Sequence, residues 1–363
     1  MKILILKLSS MGDIIHTLPA LTDIASKIPE VSFDWVIEEN FVEIPSWHPA
    51  VKKVIPIGLR RWRKAPLKSV FSGEIFRFIR DLRTQKYDLV IDVQGLYKSA
   101  LIGCLARKIR FAGLDKFSAK EAGASFFYMT KIFVPKGIHA ITRIRMLCAK
   151  ILGYDLSEDA LKLPSYHLLL NQQALNVERP YVIFLHGTTW ESKHWPESYW
   201  ISLAQKILDH AWDVYLPWGN EIEKDRAHRI TTATSVSKGS IKVLEKLSLS
   251  TLALLLKQAI YVVGVDTGLA HLAAALECPS LILFGPTDVS LTGPLSAAQI
   301  SLQSHFICSP CFEKQCRYPL KDQFKVQPPC FAELSPERVW DQMRRQSINF
   351  DSDGNDANKH PFD

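Results

Sequence analysis

The chain has 363 residues, which at roughly 100–200 residues per domain predicts two domains and excludes a peptide hormone or a bare motif. Hydrophobic residues make up 47% and charged residues 22%, close to globular averages, so a largely disordered chain and a coiled-coil or collagen-like rod are excluded. The formal net charge is +7, and between residues 52 and 86 eleven Lys or Arg stand against two acidic residues. That excess predicts a surface for an anion: a nucleic acid, a phosphorylated ligand or an anionic membrane face.

The N-terminal half alternates strand-like and helix-like segments. Strands are predicted at 2–8, 33–38, 53–57 and 88–93. Helices are predicted at 14–28, 72–86, 95–107 and 138–152. This alternation is typical of an α/β domain with a parallel sheet covered by helices on both faces.

A second α/β series follows a weakly periodic segment that contains Pro164 and Pro180. Its strands are predicted at 181–186, 213–217, 241–244, 261–266 and 280–284. The sequence therefore predicts two doubly wound, Rossmann-like domains in tandem. The predicted boundaries are a first domain at 1–165, a linker at 166–180, a second domain at 181–335, a helix at 336–346 and a disordered tail at 347–363.

Targeting signals and cysteine usage predict the compartment. The apolar stretch Ile3–Leu6 is interrupted by Lys7, which is not typical of a secretory signal. The longest apolar stretches are far shorter than the ~18 residues of a membrane-spanning helix. Seven cysteines, several of them single and in apolar surroundings, fit reduced thiols, so we expect a cytoplasmic protein.

The first candidate site is the loop SSMGD, between the first strand and the first helix. It places Asp13 at the carboxyl edge of the sheet, where ligands bind in such folds. It matches neither the GxGxxG nor the GxxxxGK[ST] fingerprint. Asp13 is therefore interpreted either as a general base facing an interdomain cleft or as a residue that only offsets the helix dipole.

Three more polar loops follow strands of the second half. In HGTTWESKHWP, Thr188, Thr189 and Lys193 offer hydroxyls and a cation near a helix N-terminus, which indicates a phosphate site or simply a capped polar loop. The loop GVDTGLAH and the loop PWGNE offer a diphosphate-binding turn and a carboxylate for a sugar diol. Their candidates are Asp266, Thr267, Gly268, His271, Trp218 and Glu223.

Four cysteines near the C-terminus have the spacing C-x2-C-x4-C-x13-C. They are Cys308, Cys311, Cys316 and Cys330. The spacing is compatible with a structural zinc site, with a disulfide or redox cluster, and with unconnected thiols.

Several ordered motifs between residue 1 and about residue 290 resemble the bacterial lipopolysaccharide heptosyltransferases of glycosyltransferase family 9. They are SSMGD, FDWVIEE, RRWRK, DVQGLYKSA, SKHWP, LPWG and GVDTGLAH. The resemblance implies a GT-B fold, with two Rossmann-like domains facing a central cleft. It also implies inverting transfer of L-glycero-D-manno-heptose from ADP-heptose to the inner Kdo sugar of Kdo-lipid A.

The resemblance also implies roles for individual residues. Asp13 matches the catalytic base, and Lys193 matches the lysine that stabilises the departing diphosphate. The implied donor-binding residues are Thr188, Thr189, Lys193, Trp218, Glu223, Asp266, Thr267, Gly268 and His271. The implied acceptor-binding residues are Arg60, Arg61, Arg63, Lys64 and Lys98.

This assignment gives each charged region a partner. Lys193 and helix N-terminal amides would balance the charge on the leaving ADP, so no cofactor is expected for catalysis, and zinc only as a structural ion. Asp13 would need a raised pKa to be an effective base. The basic segment would meet Kdo-lipid A and the anionic inner face of the cytoplasmic membrane, which predicts a peripheral enzyme that binds no nucleic acid.

Two other functions stay open at this point. Cysteine-rich C-termini occur among other heptosyltransferases, so transfer to the first heptose, as in type II members of the family, is the enzyme alternative. A relative that binds an ADP-sugar or a polyanion without reacting is the non-enzyme alternative, against which Asp13 and Lys193 argue.

Overall fold

The computed structural model describes residues 1–157, 164–170 and 177–352, leaving out the side chains of 67, 68, 70 and 347–352. The chain divides into two compact units, Met1–Asn171 and Gln172–Asp363. The division falls inside the predicted linker 166–180, of which residues 171–176 lie outside the described part. The predicted limits of the two domains stay predictions.

The first unit is built on a six-stranded, wholly parallel sheet. Its strand order is β3-β2-β1-β4-β5-β6. The strands are β1 (Lys2–Leu6), β2 (Ser32–Glu38), β3 (Val51–Ile57), β4 (Lys86–Asp92), β5 (Arg107–Leu114) and β6 (Thr130–Ile132). Its helices are α1 (Met11–Ile15), α2 (Leu18–Lys27), α3 (Glu43–Ser46), α4 (Leu59–Lys64), α5 (Pro66–Phe71), α6 (Glu74–Arg83), α7 (Tyr97–Leu105) and α8 (Ala140–Leu152).

The second unit repeats this architecture. Its strand order is β12-β11-β10-β7-β8-β9, again with parallel neighbours throughout. The strands are β7 (Tyr181–Leu185), β8 (Asp213–Leu216), β9 (Ile241–Val243), β10 (Tyr261–Val265), β11 (Ser280–Phe284) and β12 (Gln299–Gln303). The helices are α9 (Glu197–Asp209), α10 (Glu221–Ala233), α11 (Leu249–Gln258), α12 (Gly268–Ala275), α13 (Val289–Thr292) and α14 (Pro336–Ser352).

The predicted class, two parallel α/β units, is confirmed. The predicted C-terminal helix at 336–346 was too short, because α14 continues to Ser352. Residues 347–352 of the predicted tail are therefore helical, and residues 353–363 lie outside the described part. Among the described residues, no helix combines the length and the apolar character that crossing a bilayer requires.

Each sheet has one point at which the strand order reverses. In the first unit the chain moves from β1 outward through β2 and β3, then returns to β4 on the other side of β1. In the second unit the same reversal lies between β7 and β10. Ligands of open α/β sheets bind at the carboxyl ends of the strands at such a point. The fold thus marks two places for chemistry, one after β1 and one after β7.

Helix α14 completes the core of the second unit. Trp340 and Met343 belong to the same buried cluster as Trp195 and Trp200. The Trp195 and Trp200 rings lie 4.9 Å apart, and the Trp195 indole N–H donates to the carbonyl of Leu334 at 2.8 Å. Tight packing of this kind holds the backbone beside Trp195 in place. The loop after β7 therefore ends on a rigid anchor.

Candidate functional site

In the first unit, Asp13 is the third residue of the short helix α1. The Ser10 hydroxyl donates to Asp13 Oδ2 at 2.5 Å, and the Ser10 backbone N–H donates to the same oxygen at 3.1 Å. Ser10 is the N-cap residue, so the carboxylate is part of a capping box. Asp13 therefore stabilises the N-terminus of α1, and this role is compatible with a second role as a general base.

A lysine faces the Asp13 carboxylate from the end of strand β1. Lys7 Nζ lies 3.5 Å from Asp13 Oδ1; its side chain is 7% exposed, whereas that of Asp13 is 46% exposed. Desolvation raises the pKa of Asp13, but the positive charge of Lys7 and the hydrogen bonds from Ser10 outweigh it and hold the pKa well below its usual range. The pKa of Asp13 is therefore lowered, whereas an effective general base was expected to need a raised pKa.

Gln94, just beyond strand β4, fixes the loop that carries Asp13. Its side-chain oxygen accepts from the Leu8 backbone N–H at 2.8 Å, and its amide donates to the Ser9 carbonyl at 2.9 Å. The Gln94 backbone N–H in turn donates to buried Asp92 at 2.8 Å. The motif DVQGLYKSA contains Gln94, but the sequence did not predict that Gln94 and Lys7 would contact the loop of Asp13. The available signal was a polar side chain directly after a strand that neighbours β1.

The predicted acceptor residues do not form one cluster. Arg61 is held by Glu39 at 3.0 Å and Glu74 at 2.5 Å. Arg60 and Lys98 instead lie near Glu38: burial raises the pKa of that carboxyl, and the two nearby cations oppose the rise. Arg63 and Lys64 are exposed on the remainder of α4. Arg60 and Lys98 therefore share Glu38, the last residue of β2, as a neighbour.

In the second unit, a buried ion pair occupies the reversal point between β7 and β10. Lys193 Nζ lies 2.6 Å from Asp266 Oδ2, and the two side chains are 15% and 7% exposed. The Thr287 hydroxyl donates to the same carboxylate oxygen at 2.7 Å. His271 Nε2 lies 3.8 Å from the other oxygen. Two predicted donor-site residues, Lys193 and His271, thus meet around the carboxylate of a third, Asp266, and Thr287 joins them although the sequence did not single it out.

The charge state of this cluster follows from its contacts. Burial raises the pKa of Asp266, but the hydrogen bond from His271 and the charge of Lys193 prevail and hold it well below the ordinary value. Asp266 is thus an anion at neutral pH and pairs with the Lys193 cation. A diphosphate would offer Lys193 a second anionic partner.

Backbone contacts connect Lys193 to its surroundings. The Thr188 hydroxyl donates to the Asp266 carbonyl at 3.2 Å. Ser192 is held on both sides, because its N–H donates to the Lys314 carbonyl at 3.1 Å and its hydroxyl donates to the Glu313 carbonyl at 2.5 Å. The turn that carries Lys193 is therefore supported by the segment between two of the C-terminal cysteines.

The remaining predicted donor residues lie in the loops that follow β7, β8 and β10 or in the first turn of the next helix. Glu223 accepts from the Gly219 N–H at 2.7 Å and packs so closely on Gly187 that a Cβ there would lie 2.7 Å from its carboxyl carbon. The Trp218 indole donates to the Leu244 carbonyl at 2.6 Å. Thr267 is the N-cap residue of α12, which begins at Gly268, and Thr189 is exposed after β7.

The four C-terminal cysteines are free thiols that lie near one another. Burial and the neighbouring sulfurs raise the pKa of Cys330 to about 12, and burial together with Cys311 and Cys316 raises that of Cys308. Over the part of the chain that the structure describes, no three His, Cys, Asp or Glu side chains are arranged to hold a metal ion. A groove of about 680 Å³ beside these cysteines is lined by residues that include His194, Arg226 and Cys316.

Comparisons with known proteins point to a single family. The model of glycosyltransferase family 9 (heptosyltransferase) matches residues 75–321. Lipopolysaccharide heptosyltransferase 1 of Pseudomonas aeruginosa is 47% identical over 351 residues, which cover 94% of this chain and 97% of the relative. Lipopolysaccharide heptosyltransferase 2 of Escherichia coli is only 23% identical over 308 residues, covering 82% and 86%.

A solved structure agrees with the sequence comparisons. The E. coli heptosyltransferase WaaC with ADP-2-deoxy-2-fluoro heptose matches with a TM-score of 0.72 and 42% identity, over 84% of this chain and 93% of that one. The expected fold class, two Rossmann-like units like those of GT-B heptosyltransferases, is therefore confirmed.

Proposed function

The chain belongs to glycosyltransferase family 9, the heptosyltransferases, and on that premise we propose that it transfers a heptose from ADP-heptose to the inner Kdo of Kdo-lipid A. The family and the 47% identity to a heptosyltransferase 1 support this acceptor over the type II acceptor, whose relative is 23% identical. The observation that carries the donor half is the Lys193–Asp266 pair at the reversal point of the second sheet. It offers a held cation where a phosphate-bearing ligand would bind.

The departing ADP gains negative charge on its β-phosphate as the sugar leaves. In this proposal Lys193 stabilises that charge, and the turn anchored by Ser192 and Trp195 holds the cation in place before the reaction. Asp266 keeps Lys193 oriented, and Thr287 and His271 keep Asp266 ionised. Glu223 would accept hydrogen bonds from the hydroxyls of the nucleotide ribose.

Asp13 would remove the proton from the acceptor hydroxyl. Its low pKa means that it is ionised and ready to accept a proton at neutral pH, but it also makes it a weak base. We infer that the bound acceptor displaces Lys7 from Asp13 or shields the carboxylate from water, either of which raises its pKa. Arg60 and Lys98 would pair with the carboxylate groups of Kdo.

We also propose a structural zinc ion at Cys308, Cys311, Cys316 and Cys330, whose binding would draw these thiols into a ligand arrangement that they do not have in this structure. A bound cation would offset the repulsion between neighbouring thiolates and so lower the pKa values of the four thiols. The ion would stiffen the segment that holds Ser192, next to Lys193. Metal analysis should find one zinc per chain that is lost in Cys311→Ser with Cys316→Ser; a fully active, metal-free protein contradicts this site.

The proposed acceptor is a lipid, so we propose that the enzyme works at the cytoplasmic face of the inner membrane. The basic segment between residues 52 and 86 supports this placement, since it is complementary to anionic lipid.

The function is tested by mass analysis of the lipid product. The purified protein is incubated with ADP-heptose and either Kdo-lipid A or the same lipid that already carries one heptose. We expect the mass of one heptose to be added to the first lipid. Addition only to the second lipid would identify a type II enzyme, and addition to neither would contradict the proposal.

A further inference from the structure

Helix α7 presents three of its larger apolar side chains to the outside, whereas Ile102 faces the core. Tyr97, Leu101 and Leu105 follow one another at four-residue spacing and are 50%, 52% and 39% exposed. The residues that face the sheet include Ser99, Ala100 and Gly103. A helix that is apolar on its outer face as well as its inner one normally has a covering partner. With the neighbouring elements of the described chain in place, these three side chains still keep 39–52% of their surface exposed.

The small inner residues hold the helix in this orientation. A Cβ at Gly103 would lie 2.2 Å from the ring of Phe111 on strand β5, so the helix backbone lies against the sheet. No room remains there for a leucine or tyrosine side chain. Tyr97, Leu101 and Leu105 therefore stay outside as a fixed feature of the fold.

The apolar surface continues onto both neighbours of α7. On one side the 3-10 turn Ala122–Phe127 packs against α7, with Tyr97 lying over Gly123. The side chain of Phe126 in this turn is 80% exposed. On the other side α6 packs against α7 and exposes Phe76 by 67%. We call the outer faces of α6, α7 and this turn the α7 face.

Positive charge borders the apolar side chains. Phe78 and Leu82 of α6 point into the core, so Phe76, Arg80 and Arg83 share the opposite side of the helix. Arg77 is exposed beside them, and Lys98 is exposed in the first turn of α7. Apolar side chains flanked by Arg and Lys are typical of elements that lie in the headgroup region of an anionic bilayer.

We propose that the α7 face docks on the surface of a bilayer that contains anionic lipid. This inference rests on the proposed function, in which the acceptor is itself a membrane lipid. The first turn of α7, with Lys98, is at the carboxyl edge of the sheet, where Asp13 also lies. Docking along α7 therefore brings the acceptor-binding end of this unit to the membrane surface.

Vesicle binding tests the proposal without any need for catalysis. The full-length protein is mixed with phosphatidylglycerol-containing vesicles that hold no acceptor, and the bound fraction is measured by flotation. The test variant is Leu101→Glu with Phe126→Glu; its matched control is Ile222→Glu with Val236→Glu, two residues of the second unit that are 79% and 69% exposed. All four sites are on the surface, and thermal melting checks that each variant folds.

We expect the α7-face variant to lose about tenfold or more of its vesicle partition coefficient, while the control keeps that of the parent protein. Arg77→Gln and Arg80→Gln should each lower the partition coefficient on anionic vesicles by up to about fivefold. With a water-soluble, deacylated acceptor, the α7-face variant should keep its turnover.

Three outcomes would overturn the proposal. They are equal vesicle binding by the α7-face variant and the parent, equal binding of the parent to purely neutral phosphatidylcholine vesicles, and a parent dimer that the α7-face variant abolishes. Failure of the proposed function would appear separately, as vesicle binding without heptose transfer.

Discussion

The two units share one topology but present opposite charges at their reversal points. After β1, the first unit offers a carboxylate, Asp13, whose side chain is 46% exposed and faces an almost buried lysine. After β7, the second unit offers a cation, Lys193, paired with an almost buried carboxylate. In both, the buried member of the pair holds the more accessible one. In the proposed function, the same fold would supply a proton acceptor in one unit and a stabiliser of negative charge in the other.

The difference arises in the loops, not in the sheets. In the first unit the helix begins close after the strand, so Asp13 is also part of the capping box with Ser10. In the second unit a 3-10 turn, Glu191–Lys193, comes before α9 and directs Lys193 toward Asp266. Loop geometry therefore decides which sign of charge faces the ligand.

The largest effect should come from replacing the carboxylate of the first unit. Asp13→Asn keeps the size of the side chain but removes the proton acceptor, and turnover should fall by about 10²–10⁴-fold. Ser10→Ala is the matched control, since it weakens the cap by about 1 kcal/mol and leaves the carboxylate in place. Steady-state kinetics on both variants separates the two roles; if Ser10→Ala is as inactive as Asp13→Asn, Asp13 acts only as a cap.

A somewhat smaller loss is expected from the cation of the second unit. Lys193→Ala removes the charge that would stabilise the departing diphosphate and should slow transfer by about 10²–10³-fold. Lys224→Ala removes a half-buried lysine that lies over Trp218 and should have a much smaller effect. Kinetics in which both variants behave like the parent would remove Lys193 from the reaction.

Acid should weaken the fold through both carboxylates, but more through the buried one. The pKa values of Asp13 and Asp266 lie below their ordinary values, so each contributes stability that is present above the unfolded-state pKa and lost as pH falls through the folded-state pKa. The free energy of unfolding should thus decrease as pH drops below about 5.

Urea unfolding across this pH range measures the decrease. Asp266→Asn should flatten the curve more than Asp13→Asn, because Asp266 is 7% exposed and Asp13 is 46% exposed. Curves for both variants that run parallel to that of the parent would show that neither carboxylate is perturbed in this way.

The smallest effect is expected at an exposed arginine. Arg61 pairs with Glu39 and Glu74 on the surface, where solvent screens the charges, so Arg61→Ala should leave the free energy of unfolding nearly unchanged. It should also raise the acceptor KM less than Arg60→Ala does, since Arg60 lies near Lys98 and Glu38. An acceptor KM that responds more to Arg61 than to Arg60 would reverse the assignment.

Strands with apolar runs were predictable from the sequence, and strands whose apolar pattern is interrupted by polar residues were not. The runs at 181–186 and 261–266 correspond to β7 and β10, which are buried throughout. Strand β5 was missed because Arg107, Lys108 and Arg110 interrupt its apolar pattern. The outermost strand β12 was missed for a similar reason, since its residues alternate with glutamine and serine and are half-buried.

For the candidate site, the sequence predicted the loops but not the partners. Lys193 and Asp266 were each singled out, yet 73 residues separate them and only the order of the strands brings them together. Gln94 and Thr287 escaped notice because their contacts join segments that follow different strands, and Lys7 because its contact with Asp13 depends on how the loop between them folds. The pKa direction of Asp13 likewise depends on Lys7, whose side chain the motif alone does not orient.

Titration of ADP-heptose into Asp13→Asn and Lys193→Ala by calorimetry, alongside their turnover, tests the division of labour between the units most directly. The account predicts that Asp13→Asn binds the donor as the parent does but hardly turns it over, whereas Lys193→Ala has lost donor affinity. Donor binding that collapses in Asp13→Asn, or that is unchanged in Lys193→Ala, would contradict it.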